Sequence, residues 1–127
     1  MREILFRGQR KIDRQWVYGL YTQAGRYFLM KTLGTEILKP DFKLVYGETI
    51  GQYVGIKDGA GNKIFEGDIL KNVFGEYGVV ECSENLFYIR KALANDYSSV
   101  CFSTSKIVGN IYDNTELIKD KKLNWRK

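Results

Sequence analysis

The chain has no histidine at all, and its 127 residues include two cysteines and one proline. Histidine is the side chain whose ordinary pKa lies nearest neutral pH, so its absence removes the usual base of Ser-His and Cys-His catalysis. Cys82 and Cys101 stand 19 positions apart with no Cys-x-x-Cys pair, which leaves a zinc site short of ligands. They read as two small buried hydrophobes, unpaired in a reducing compartment. No apolar run approaches the roughly 20 residues that cross a bilayer. Met1-Arg2-Glu3 opens onto no apolar leader segment, so no signal peptide and a cytoplasmic location are expected.

The scarcity of proline sits beside 13 glycines, nine tyrosines and seven phenylalanines. Short alternating runs rich in aromatic and β-branched residues, cut by glycine turns, imply an all-β, mainly antiparallel fold with little helix. The central stretch carries this reading furthest. Thr49 to Lys57 alternates, with Ile50, Val54 and Ile56 on one side and Thr49, Tyr53 and Lys57 on the other. Asp58-Gly59-Ala60-Gly61-Asn62 reverses the chain, and Lys63 to Leu70 returns with a bend at Gly67. Burial is expected at Ile50, Val54, Ile56, Ile64 and Ile69. Further strands are expected over Arg2 to Arg7, Gln15 to Thr22, Arg26 to Lys31, Lys43 to Tyr46, Val79 to Cys82, Leu86 to Arg90, Ser99 to Ser103 and Lys106 to Tyr112. Ile107, Ile111 and Tyr112 should pack on the central hairpin. Asn114 is placed to cap one short helical turn.

Net charge is +5, unevenly spread. Residues 1–46 hold nine Lys/Arg against four Asp/Glu, residues 47–118 hold six against ten, and residues 119–127 hold five against one. The basic ends suit an acidic partner, and the acidic middle does not. Basic and aromatic residues interleave in the first third: Arg7, Arg10, Lys11, Arg14, Trp16, Arg26 and Tyr27 form a candidate nucleic-acid surface, with cations on phosphates and rings under bases. The carboxylates Glu48, Asp58, Glu66 and Asp68 surround the central hairpin, but turn chemistry explains Asp58 and Asp68 better than catalysis does. No serine has a Gly-x-Ser-x-Gly setting, and Gly59-x-Gly61 closes a hairpin rather than opening a helix. No catalytic residue, metal or cofactor is therefore expected, and the chain reads as not an enzyme.

Three blocks resemble a known family. The central one is Gln52-Tyr53-Val54-Gly55-Ile56-Lys57-Asp58 with Gly61-Asn62-Lys63-Ile64-Phe65-Glu66-Gly67-Asp68-Ile69. The second is Met1 to Arg7, and the third is Lys106 to Asn114 with Glu116-Leu117-Ile118. Together they resemble the YopX family of phage and prophage proteins, whose biochemical activity is not settled. The resemblance implies a phage or prophage protein built as a YopX-like, small barrel-type β domain. Glu66 to Leu70 followed by Tyr77 to Val80 adds an SH3-like C-terminal part. The expected organisation is one domain over 1–118, or two intertwined modules over 1–46 and 47–118, followed by a basic flexible tail over 119–127. Function is expected to be non-catalytic: a protein-interaction or self-assembling module, a homo-oligomer with an unknown protein partner and no membrane partner. The alternative is a small β-barrel nucleic-acid-binding protein.

Overall fold

The structure is a computed structural model that describes residues 3–32, 42–83, 86–91, 104–114 and 116, with the main chain alone at 83 and 86–91. The expected strand Ser99 to Ser103, the loop at Pro40, Cys101 and the basic tail lie outside the described residues. The chain forms two compact units, Met1–Tyr53 and Val54–Lys127. The structure is mostly antiparallel β with very little helix, and no barrel closes among the described residues.

The first unit carries β1 (Phe6–Gln9), β2 (Trp16–Ala24), β3 (Tyr27–Thr32) and β4 (Phe42–Val45). A single 3-10 turn, Gly47–Thr49, follows β4 and leads into β5 (Gly51–Lys57), which runs across the division between the units. The sheet order is β4-β3-β2-β1-β5, every pairing antiparallel. The β2–β3 hairpin turns at Gly25-Arg26, where Gly25 takes φ 62, a conformation open to glycine at no steric cost. One bridge, Arg10 with Val45, and bonds from Lys11 N–H to Leu44 O and Tyr46 N–H to Gln9 O draw the outer edge of β4 back toward the segment after β1. The sheet therefore curls, and a single bridge does not close it into the expected barrel.

Cross-strand partners share a face. One face is built from Gly8, Val17, Gly19, Phe28, Met30 and Val45, and Met30 and Val45 are fully buried. It is the core of this unit. Thr49, expected to point outward from a strand, is instead a buried cap: its Oγ1 accepts from Gln9 N–H at 2.9 Å and donates to Tyr46 O at 2.7 Å.

In the second unit, β5 continues beside β6 (Lys63–Phe65). The expected return strand Lys63 to Leu70 is two strands, not one. Gly67 takes φ 95 and breaks it, and the chain after the break, β7 (Asp68–Lys71), enters a separate sheet of order β10-β7-β8-β9. Its other members are β8 (Tyr77–Ser83), β9 (Leu86–Lys91) and β10 (Lys106–Asn110). The core is Val54, Ile64, Leu70 and Val80, with Ile107 packed against it as expected, and Ile69 is fully buried nearby in sequence. Each such side chain contributes on the order of 1.5–3 kcal/mol by leaving water.

Ile56 corrects the alternation argument: it is exposed, Ile50 is half-buried, and Tyr53 is buried on the side assigned to solvent. Gly55, at φ 90, interrupts the pleat between Val54 and Ile56, so the period-2 pattern fails past it. Ile111 and Tyr112 lie in a turn beyond β10 and are half-buried, with Ile111 N–H bonded to Gly67 O at 3.0 Å.

Candidate functional site

Two of the four carboxylates around the central hairpin, Asp58 and Asp68, hold main-chain groups. Asp58 is buried, and its Oδ1 accepts from the N–H groups of Ala60 at 2.9 Å and Asn62 at 2.8 Å. Its Oδ2 accepts from Ile107 N–H at 3.0 Å, which ties the turn to β10. Burial pushes this carboxyl upward, and the amides of Ile107, Asn62 and Ala60 together outweigh burial and hold it below its ordinary range. Asp68, also buried, accepts from Phe65 N–H at 2.8 Å across the β6–β7 break. Glu48 is exposed on the 3-10 turn of the first unit. Among the described residues no three His, Cys, Asp or Glu side chains gather as metal ligands. Cys82 is a half-buried free thiol on β8.

The cations and rings singled out from the sequence all fall in the first unit, and they are not equivalent. Arg7 is buried, 6% exposed, with its guanidinium 4.4 Å from the centre of the Trp16 ring. Arg10 is held by Asp13, its Nε 3.0 Å from Oδ1 and its Nη2 on Oδ2. Hydrogen bonding from Arg10 lowers the Asp13 carboxyl. Arg14, a non-glycine residue at φ 61, bonds Gln9 Oε1 at 3.2 Å and lays its guanidinium 4.4 Å over the Tyr46 ring. The Lys11 ammonium lies 5.7 Å from the Tyr46 ring and 5.8 Å from Tyr27, close enough for cation–π attraction to both. Arg26 sits exposed in the β2–β3 turn. The structure thus brings Lys11, Arg14 and Tyr27 together around Tyr46, a residue the sequence did not single out.

The register places Tyr18, Leu20, Tyr27, Leu29, Phe42 and Leu44 on the face of the β2–β3–β4 sheet opposite the core. All but the half-buried Leu29 are exposed, from Leu44 at 39% to Tyr27 at 51%. Beside this face Arg10, Lys11, Ile12, Phe42, Lys43 and Leu44 line a groove of about 480 Å³. Ile12 at its rim is 85% exposed. Periodicity of β2 and β4 signals alternation but not which face will be covered, so the sequence concealed this surface. In the second unit a smaller hollow of about 150 Å³ is lined by Glu66, Val79, Glu81, Cys82, Ile111 and Tyr112, among others.

The YopX protein family model matches residues 5–119, most of the chain. The chain belongs to the YopX family. No curated protein matches it. Among solved structures it is similar to protein EF1440 from Enterococcus faecalis, with 17% identity, a TM-score of 0.57, and coverage of 93% of this chain and 99% of that one. At that identity the likeness concerns the fold. The two-sheet antiparallel architecture is thus a YopX-family architecture shared with a crystal structure along nearly the whole length. Among the described residues no helix is long and apolar enough to cross a membrane.

Proposed function

We propose that this YopX-family chain is a non-catalytic protein-interaction or self-assembling module, a phage or prophage protein working in the cytoplasm. The observation that carries the reading is the exposed apolar face of the first unit: Tyr18, Leu20, Tyr27, Phe42 and Leu44, fixed by continuous ladders. A ladder-held row of aromatic and aliphatic side chains costs little entropy to dock, and large exposed apolar patches rimmed by polar groups mark protein contacts. The cations that would serve a phosphate chain are largely engaged within the protein, Arg7 under Trp16 and Arg10 on Asp13. Buried carboxylates that accept main-chain amides, three on Asp58 and one shown on Asp68, support a scaffold role over catalysis.

The test is capture of partners from prophage-induced cells by the wild-type protein and by a Tyr18→Ser/Leu20→Ser variant, with nuclease present. Nuclease-resistant capture that the variant loses supports the reading, and equal capture by both proteins refutes it.

A second reading, single-stranded nucleic-acid binding, is favoured by the cluster of Lys11 and Arg14 around Tyr46 and Tyr27. Binding of oligonucleotide that weakens steeply with salt, and that is lost in Lys11→Glu, would establish it over the first.

A further inference from the structure

A groove and a projecting tip in this chain are chemically matched. The groove of the first unit is lined by Ile12, Phe42 and Leu44 and by Arg10, Lys11 and Lys43; the Arg10 charge is paired with Asp13, so Lys11 and Lys43 are the cations that bear on an acidic partner. Its volume of about 480 Å³ lies in the range of sites that engulf a small ligand or a few side chains. The tip is the β7–β8 turn of the second unit. Val73 and Phe74 there are 78% and 83% exposed, as open as any large apolar side chain described except Ile12.

The turn is rigidly built. Asn72 Oδ1 accepts from Phe74 N–H and Glu76 N–H, each at 2.9 Å, Asn72 Nδ2 donates to Glu76 Oε1 at 2.9 Å, and Asn72 N–H bonds Glu76 O at 2.9 Å. Gly75 at φ 81 completes the reversal. The turn therefore holds two apolar side chains outward at fixed geometry, with the Glu76 carboxylate two residues beyond Phe74. Little conformational entropy is lost when a preformed tip docks.

We propose that the Val73–Glu76 tip of one copy inserts into the Arg10–Leu44 groove of a second copy. Phe74 packs on Phe42, Leu44 and Ile12, and Glu76 faces Lys11 and Lys43. This rests on the protein-interaction reading above and names its partner as the chain itself. The contact is head-to-tail, since tip and groove are different surfaces, so each copy offers one of each. A single inserted turn buries a small area, and interfaces of that size are weak and transient.

The test is sedimentation velocity over rising concentration on the wild-type chain, a tip variant Phe74→Ser, a groove variant Lys11→Glu/Lys43→Glu, and a charge-swapped chain that adds Glu76→Lys to the groove variant. The wild type should show concentration-dependent association. The tip and groove variants should each lose on the order of tenfold or more, and thermal melting of each separates lost association from lost folding, since Lys11 also lies against the Tyr46 and Tyr27 rings. An equimolar mixture of the two variants should form dimers and go no further, because one intact groove meets one intact tip. The charge-swapped chain should regain association. A monomeric wild type, association untouched by both variants, or a mixture no better than its parts would overturn the proposal. Capture of a different protein through Tyr18 and Leu20 would leave the broader reading standing in each of those cases.

Discussion

Replacing Asp58 with Asn tests the strongest structural assignment in the central motif, because it keeps the shape and changes only the charge and one acceptor. Asp58 accepts three main-chain amides, two from its own turn and one from Ile107 on β10. An Asn oxygen turned toward Ala60 and Asn62 keeps two of these as bonds to a neutral acceptor, and its NH2 group then opposes the Ile107 N–H. Hydrogen bonds to charged acceptors are worth about 1.5–3 kcal/mol, and an unmet buried donor costs about 1–3 kcal/mol. The expected loss is about 2–4 kcal/mol, a large share of the roughly 5–15 kcal/mol that holds a domain folded. Urea denaturation at neutral pH followed by circular dichroism measures it.

The pH dependence supplies an independent arm. The folded-state carboxyl titrates below its ordinary value of 3.8, so the unfolded chain takes up the proton first. The stabilisation is complete above that value and is lost as pH falls through it toward the lower folded-state value. The gap between wild type and Asp58→Asn should therefore narrow below about pH 4. A loss under about 0.5 kcal/mol at neutral pH, against the magnitude expected for these bonds, or a gap that widens in acid, would refute the reasoning.

Ile64→Ala should cost about 2–5 kcal/mol, since Ile64 is fully buried in the second unit's core, and Ile111→Ala clearly less because Ile111 is half-buried; chemical melts compare the two. Gly47→Ala should destabilise the first unit, because the added carbon would meet the Phe28 ring at 2.4 Å, and Trp16 fluorescence during denaturation follows that unit. Gly19→Ala should be worse still: its new carbon would stand 2.0 Å from the Lys31 carbonyl oxygen, a main-chain atom that cannot swing away, and soluble yield with far-UV circular dichroism reports it. The surface pair Tyr18→Ser/Leu20→Ser should leave stability within about 0.5 kcal/mol while removing partner capture.

Local chemistry was legible from residues alone. Asp58 beside Gly59 announced a turn held by its own side chain, and Gly67 announced a bend, though not that the strand would divide there between two sheets, because turn chemistry depends on neighbours within a few positions. Family membership was legible for the same reason: the matching blocks are contiguous runs. What the tertiary structure alone decided is which face of each strand is covered. Alternation in β2 marks Tyr18 and Leu20 as one row, but their exposure follows from Met30 and Val45 filling the opposite side. Ile56 and Thr49 changed places with expectation because Gly55 disrupts the pleat and the Gln9 amide needed an acceptor. Arg7 left the surface for the Trp16 ring, and Lys11 and Arg14 gathered on Tyr46, through pairings between β1, β2 and the end of β4. A sequence records which side chains can meet water or a partner; the long-range strand register determines which ones do.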